Sequence, residues 1–132
     1  MSREEKRKLV LDTWQAIAVG DVKTAFANLS DEIRWKIPGN VAPISGVKNG
    51  KGEILEFLRA VSKIFPPAMR SEIRSVYVDG DAVIVEMVNR SNTASGRPYE
   101  NEYCFVFEIS EGKIREIREY VDTQRANEII NG

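Results

Sequence analysis

The order of apolar patterns along the chain predicts an α+β fold. Apolar residues three to four positions apart, the period of a helix, dominate the first half of the sequence. From Arg70 onward the pattern alternates with period two, as in strands. Turns containing glycine at 79–80 and 111–112 join these strands into antiparallel hairpins. We therefore expect helices on one face of a meander of at least four strands, which encloses a cavity if the sheet coils strongly.

Length and composition limit the classes of function that this chain can have. A chain of 132 residues, 42% hydrophobic and 30% charged, predicts one globular domain over 1–132. A net charge of −1 with both signs spread along the chain argues against nucleic acid or an anionic membrane as a partner. Without histidine the chain lacks the commonest metal ligand and general base, so we expect neither a metal nor an organic cofactor.

The compartment is predicted from what the sequence lacks. Cys104 is the only cysteine, which rules out an internal disulfide and indicates a reducing compartment. No apolar run approaches the ~20 residues of a membrane helix, and no signal-peptide pattern is present. We therefore expect a cytoplasmic protein.

Three helices are predicted before the meander. A Ser-x-x-Glu pattern at the start has the spacing of a capping box, and Gly20 ends the helix that follows. Asp21 is a good N-cap for a second helix. The third spans 53–65, where Pro66-Pro67 stops it. Between the second and third helices, 32–37 alternates as a strand, and the residues that follow it read as a loop up to Gly52.

The second half is predicted as strands and a closing helix. Asp79-Gly80 has the composition of a tight hairpin turn, and Asn92 to Arg97 that of a looser one. The segments expected are strands over 73–78 and 82–90, a hairpin over 99–123, and a short helix over 123–130.

The last hairpin organises the predicted site. A two-residue turn at Glu111-Gly112 places a single set of side chains on one face, made up of Asn101, Tyr103, Phe105 and Phe107 beside Arg118, Tyr120 and Asp122. A three-residue loop with a bulge would instead slip the register by one and take the aromatic residues off that face. Aromatic walls beside a few convergent polar groups predict a pocket for a small apolar molecule.

We expect the helices to cover this face through Trp14, Phe26, Phe57 and Leu58, leaving a cavity of roughly 300 Å³ or more. The residues predicted to bind the ligand are Trp14, Trp35, Phe57, Leu58, Val88, Asn101, Tyr103 and Phe105. The opposite face of the hairpin is too apolar for water, which predicts a homodimer through Cys104, Val106, Ile117 and Val121.

Each polar residue of the predicted site has two interpretations. Asp122 is either a general base or the N-cap of the closing helix. Tyr120 either donates a hydrogen bond to an enolate oxygen or packs its ring against the protein and exposes its hydroxyl to water. Arg118 either binds a ligand carboxylate or forms a structural ion pair with Asp122 or Glu116. Glu86 lies either on the solvated face or in the interior.

Several stretches, in this order and spacing, resemble the SnoaL-like branch of the nuclear transport factor 2-like superfamily. They are Gly20-Asp21, Asp31-Glu-Ile-Arg-Trp35, Pro38-Gly39, Ser45-Gly46, Gly50-Lys-Gly-Glu-Ile54, Gly112-Lys-Ile114 and Glu119-Tyr-Val-Asp122-Thr123. The resemblance implies a cone-shaped curved antiparallel sheet wrapped by the helices, a deep pocket and frequent homodimers. Members include polyketide cyclases and relatives of ketosteroid isomerase and limonene-epoxide hydrolase.

The resemblance also implies roles for single residues. Asp122 matches the acid/base aspartate of the cyclases, Tyr120 and Arg118 match polar pocket positions, and Trp35 matches an aromatic residue of the pocket wall. The chain departs from the family because it has no histidine, no carboxylate over 37–45 and no Arg-x-Asp pair on the middle strand. These departures disfavour the ketosteroid-isomerase and epoxide-hydrolase reactions.

Three functional hypotheses follow. The first is a cofactor-independent acid/base isomerase or cyclase acting on a small apolar carbonyl compound, with Asp122, Tyr120 and Arg118 as its catalytic groups. The second is a non-catalytic small-molecule-binding or dimeric interaction protein of the same fold. The third is a purely structural dimerisation module, which requires that its own side chains fill the pocket.

Overall fold

The computed structural model describes residues 1–132, which form four helices and six strands. The helices are α1 (Arg3–Ala18), α2 (Val22–Ala27), α3 (Gly50–Ile64) and α4 (Thr123–Asn131). The strands are β1 (Leu29–Ile37), β2 (Gly46–Asn49), β3 (Arg70–Asp79), β4 (Ala82–Asn92), β5 (Pro98–Ser110) and β6 (Lys113–Val121). The predicted α+β class and element order are confirmed.

All six strands form one curved sheet in the order β2-β1-β6-β5-β4-β3. The predicted antiparallel meander is β3 to β6. The sheet is antiparallel, as predicted, except that β1 runs parallel to β6. The expectation of a loop up to Gly52 is wrong, since β2 pairs with β1 and α3 already begins at Gly50.

Local capping chemistry sets the helix ends. Ser2 and Glu5 form the reciprocal capping box of α1. Asp21 caps α2 by accepting a hydrogen bond from the Thr24 amide at 3.2 Å. No helix is both long and apolar enough to cross a membrane.

One bulge on β6 sets the register of the last hairpin. Glu111 and Gly112 have φ values of 52° and 75°, so the turn has two residues and Ser110 pairs with Lys113, as predicted. The register then shifts between Glu108 and Ile109, where β6 carries Arg115 as an extra residue. From that point the predicted pairs are wrong by one position, and Phe105 lies opposite Glu119 rather than Arg118.

The bulge decides which residues share the inner face. Tyr103, Phe105 and Phe107 stay on the inner face, now beside Ile117, Glu119 and Val121. The helices cover this face through aromatic contacts: the Trp14 and Phe105 ring centroids are 4.6 Å apart, and those of Trp35 and Phe57 are 5.3 Å apart. The candidate site therefore lies between the inner face of the sheet and the covering helices, near Glu119.

Candidate functional site

An apolar cavity of about 730 Å³ lies between the inner face of the sheet and the helices. Of its 27 lining residues, 20 are hydrophobic, so it suits an apolar molecule. Its exposed lining residues include Val19, Gly20, Pro66 and Pro67, which places its mouth between the α1–α2 corner and the α3–β3 loop. The cavity is larger than the minimum that the sequence predicts.

Glu119 places a carboxyl group in the wall of this cavity. Trp35 lies opposite Ile117 in the parallel β1–β6 pair, and Glu119 follows two residues later on the same face. The Trp35 indole Nε1 donates a hydrogen bond to Glu119 Oε1 at 3.1 Å. Glu119 is only 6% exposed, and this burial raises its pKa to about 7. The indole hydrogen bond and the positive charge of Lys48 partly oppose the shift.

The second carboxyl oxygen of Glu119 is available to a ligand. Trp35 supplies the only hydrogen bond that the protein gives to this side chain, and it goes to Oε1. No fully buried side-chain nitrogen or oxygen in the protein lacks a partner. Oε2 is therefore not sealed inside the core, and it is accessible from the cavity that Glu119 lines.

Two tyrosines place a hydroxyl pair in the same wall. The Tyr99 and Tyr103 hydroxyl oxygens are 2.6 Å apart, and both residues line the cavity. Asn101 Nδ2 donates to the Tyr99 oxygen at 3.1 Å and to the Asp122 carbonyl at 3.0 Å, so both amide protons are used. Burial raises the pKa of both phenols, that of Tyr103 strongly, which keeps them neutral hydrogen-bond donors.

Lys48 is a buried ammonium group behind the cavity wall. It lies opposite Trp35 on β2, with its Nζ 4.5 Å from the centroid of the Phe57 ring. Nζ donates to the carbonyls of Ile44 and Gly46, the latter at 3.3 Å. Burial lowers the pKa of Lys48, while the charge of Glu119 raises it. Lys48 therefore places a positive charge close enough to influence Glu119 without lining the cavity itself.

Comparison with known proteins places this geometry in a family. The family model of the SnoaL-like domain matches residues 10–117. The chain belongs to the SnoaL-like family. The resemblance stated from sequence is thus confirmed. Comparison with curated proteins gives no significant match.

Solved structures confirm the fold of this SnoaL-like protein. A nuclear transport factor 2-like protein of unknown function from Burkholderia pseudomallei K96243 has a TM-score of 0.90 at 22% identity, over 100% of both chains. A second one, from Burkholderia xenovorans LB400, has a TM-score of 0.84 at 26% identity, over 99% of both chains. TerC, co-crystallised with polyporic acid, has a TM-score of 0.88 at 20% identity, over 97% of this chain and 99% of TerC.

Five of the predicted ligand-binding residues line the cavity of the SnoaL-like protein: Trp14, Trp35, Phe57, Leu58 and Tyr103. Phe105 lies on the inner face but is fully buried beneath Trp14. Asn101 does not line the cavity but orients Tyr99 from behind. The expected position of Val88 in the cavity wall is wrong, because β4 directs it to the outer face of the sheet.

The predicted catalytic trio does not border the cavity. Arg118 lies on the outer face, where it forms ion pairs with Glu108 and, at 2.7 Å, with Glu116. Tyr120 is on the same face and 42% exposed. Asp122 caps α4 by accepting a hydrogen bond from the Arg125 amide at 3.1 Å. The bulge at Arg115 is the physical reason, since it turns Arg118 and Tyr120 outward and Glu119 inward.

Sequence reasoning missed Glu119, Tyr99 and Asn89, all of which line the cavity. The alternative register contained a signal for Glu119, because a slip of one residue on β6 places Glu119 on the inner face in place of its neighbour Arg118. Glu86 is exposed and accepts a hydrogen bond from Ser75, so its predicted alternative on the solvated face is confirmed. Cys104 lies on the outer face, as expected.

Proposed function

We propose that this protein is a cofactor-independent acid/base isomerase or cyclase that acts on a small apolar carbonyl compound, with Glu119 as the group that moves the proton. The observation that carries the proposal is a buried carboxyl in the wall of an apolar cavity, with one oxygen held by Trp35 and the other accessible to a ligand. A pKa of about 7 supports this role, because a general base works best when its pKa lies near the operating pH.

The geometry supports a specific proton transfer. Glu119 Oε2 takes a proton from the carbon beside the ligand carbonyl, and the C–H electron pair becomes the carbon–carbon double bond of an enolate. The carbonyl π electrons move onto oxygen, where Tyr103 donates a hydrogen bond. Return of the proton to a different carbon isomerises the compound. Attack of the enolate carbon on a second carbonyl closes a ring instead, and the protonated Glu119 supplies the proton to the resulting alkoxide.

The hydroxyl pair supports the role of Tyr103. Asn101 donates to the Tyr99 oxygen, and either hydroxyl of the pair can donate to the other. When Tyr99 donates to Tyr103, the Tyr103 proton is available to the ligand oxygen. A chain of donors strengthens its last member, because each hydrogen bond polarises the next.

The alternative function is non-catalytic binding of a small molecule in the same cavity. The apolar lining favours it as much as it favours catalysis, because an apolar body needs no proton transfer to bind. The co-crystal of TerC with polyporic acid supports an organic ligand under either function.

Hydrogen exchange into a model ketone separates the two functions. The probe is 2-tetralone in D₂O, followed by NMR as deuterium replaces the protons beside its carbonyl. We expect the wild type to accelerate the exchange and Glu119→Gln to lose ~10²-fold or more of that acceleration. Arg118→Gln, one residue away on the outer face, is the matched control and keeps the wild-type rate. Binding of 2-tetralone with equal exchange in the wild type and Glu119→Gln would favour the binding function.

We also propose that the outer face of the sheet forms a homodimer. With the register corrected, Ile117 and Val121 leave the predicted interface, and Cys104 and Val106 remain in it. Tyr77 and Tyr120 add exposed aromatic surface, being 55% and 42% exposed. Sedimentation at micromolar concentration tests this, with a dimer expected for the wild type and a monomer for Val106→Glu.

A further inference from the structure

Two charged residues line the cavity, and they differ in burial. Glu119 lies buried in the inner wall, whereas Arg59 is exposed at the mouth. Arg59 stands on α3 between Leu55 and Ser62, which also line the cavity and lie four and three residues away. Residues at this spacing share one helix face, so Arg59 lies on the face of α3 that lines the cavity.

Arg59 has no partner within the protein. It forms neither an ion pair within 4.0 Å nor a side-chain hydrogen bond, although Glu56 is three residues away on the same helix. By contrast, Arg90 on β4 pairs with Glu72 and Glu100. The guanidinium of Arg59 is thus free to bind an external anion.

We propose that the ligand of this cavity carries an anionic group, a carboxylate, sulfonate or phosphate, which Arg59 binds at the mouth. The inference rests on the proposed function, in which an apolar body with its carbonyl occupies the interior beside Glu119. An anion at the mouth remains partly hydrated and needs no cation in the core. A guanidinium suits such a group, because its donors match two oxygens at once.

The arrangement also orients the ligand. The carboxyl of Glu119 repels an anion when it is ionised, and the lining between Glu119 and the mouth is mostly apolar. An anionic end is therefore favoured at the mouth and disfavoured inside, so the apolar end enters first. Arg59 is thereby a specificity-determining residue.

Two fluorescent probes with the same skeleton test the proposal. N-phenyl-1-naphthylamine is neutral, and 8-anilinonaphthalene-1-sulfonate is the same molecule with a sulfonate. Each is titrated into the wild type, Arg59→Gln and Lys63→Gln, and the readout is the ratio of the two dissociation constants in each protein. Lys63 is the control, because it is exposed on the same helix one turn further along and does not line the cavity. Leu58→Trp, which narrows the cavity, identifies binding elsewhere.

We expect Arg59→Gln to weaken sulfonate binding roughly tenfold while the neutral probe binds as before, consistent with a charge-assisted contact. Lys63→Gln should leave the ratio unchanged. Added salt should reduce the sulfonate preference of the wild type and of Lys63→Gln, but not that of Arg59→Gln. An equal ratio in the wild type and Arg59→Gln overturns this inference but leaves the proposed function standing. If Leu58→Trp binds both probes as tightly as the wild type does, the probes bind outside the cavity and the inference fails, whereas the proposed function stands or falls on the 2-tetralone exchange.

Discussion

Neighbouring charged residues on the two faces of the β5–β6 hairpin have different partners and opposite pKa shifts. Arg118 on the outer face has two carboxylate partners and contact with water, and its hydrogen bond to Glu108 lowers the pKa of that carboxyl. Glu119 on the inner face has one neutral donor, Trp35, and its pKa rises to about 7. One position along a strand thus separates an ion pair, in which the carboxyl pKa is lowered, from a buried carboxyl whose pKa is raised to about 7.

The difference shows that burial, more than residue type, decides which charges can do chemistry. On the outer face several partners and solvent fix the ionised states, so these groups stabilise structure. On the inner face the carboxylate loses its hydration and gains little in return, so proton gain and loss become nearly balanced at pH 7. The residue with fewer partners is the better acid/base candidate.

The largest expected effect is on stability, and it concerns the inner face alone. Because the folded-state pKa of Glu119 lies above its ordinary value of 4.5, the unfolded chain ionises first as pH rises. The contribution of Glu119 to the free energy of unfolding is therefore full below about pH 4.5. It decreases between about pH 4.5 and about pH 7 and stays constant above pH 7. The total loss is on the order of 3 kcal/mol.

Urea unfolding from pH 4 to 8 measures this effect. The wild type should lose stability relative to Glu119→Gln over that range, because glutamine does not titrate and retains an oxygen for the Trp35 indole. The absence of histidine keeps this window free of imidazole titration. Parallel stability curves for the two proteins would show that the Glu119 carboxyl is not shifted.

A second test compares the two faces through their tyrosines. Tyr103→Phe removes the hydroxyl proposed to stabilise the enolate oxygen and should slow 2-tetralone exchange by about 10²-fold. Tyr120→Phe removes an exposed hydroxyl of the outer face and should leave the rate unchanged. Equal rates for the two variants would remove Tyr103 from the mechanism.

The smallest expected effect separates a cap from a base at Asp122. Asp122→Ala should lower the free energy of unfolding by about 1 kcal/mol, because the Arg125 amide loses its acceptor. Asp122→Asn should be nearly silent, since asparagine caps a helix as well as aspartate does. Neither variant should change the exchange rate. A large loss of exchange in Asp122→Asn, measured beside its urea stability, would return this residue to the catalytic role that the family resemblance implies.

The fold could be predicted from the sequence because its signals are local. The capping residues Ser2 and Asp21, the Pro66-Pro67 stop and the Glu111-Gly112 turn act through their immediate neighbours, and each holds in the structure. The segment before α3 was missed because four residues of strand, β2, become favourable only when β1 is beside them to pair.

The candidate site could be predicted only in its apolar part. Trp14, Trp35, Phe57 and Leu58 follow from periodicity, which survives small errors of register. The polar part depends on which of two adjacent β6 residues points inward. A bulge at Arg115 has no turn residue to mark it, and it depends on packing against β5 and β1. A shift of one residue therefore replaced the predicted trio with Glu119 and Tyr103.

Direct titration of the Glu119 carboxyl tests the central claim, that the inner face holds an acid/base group poised at neutrality. Carbon-13 NMR of protein labelled at the glutamate side-chain carboxyls follows each group with pH, and Glu119→Gln assigns the resonance that disappears. We expect a midpoint of about 7 for Glu119. A midpoint near the ordinary value of 4.5 would contradict the claim, because the carboxyl would then be as fully ionised at pH 7 as one on the outer face.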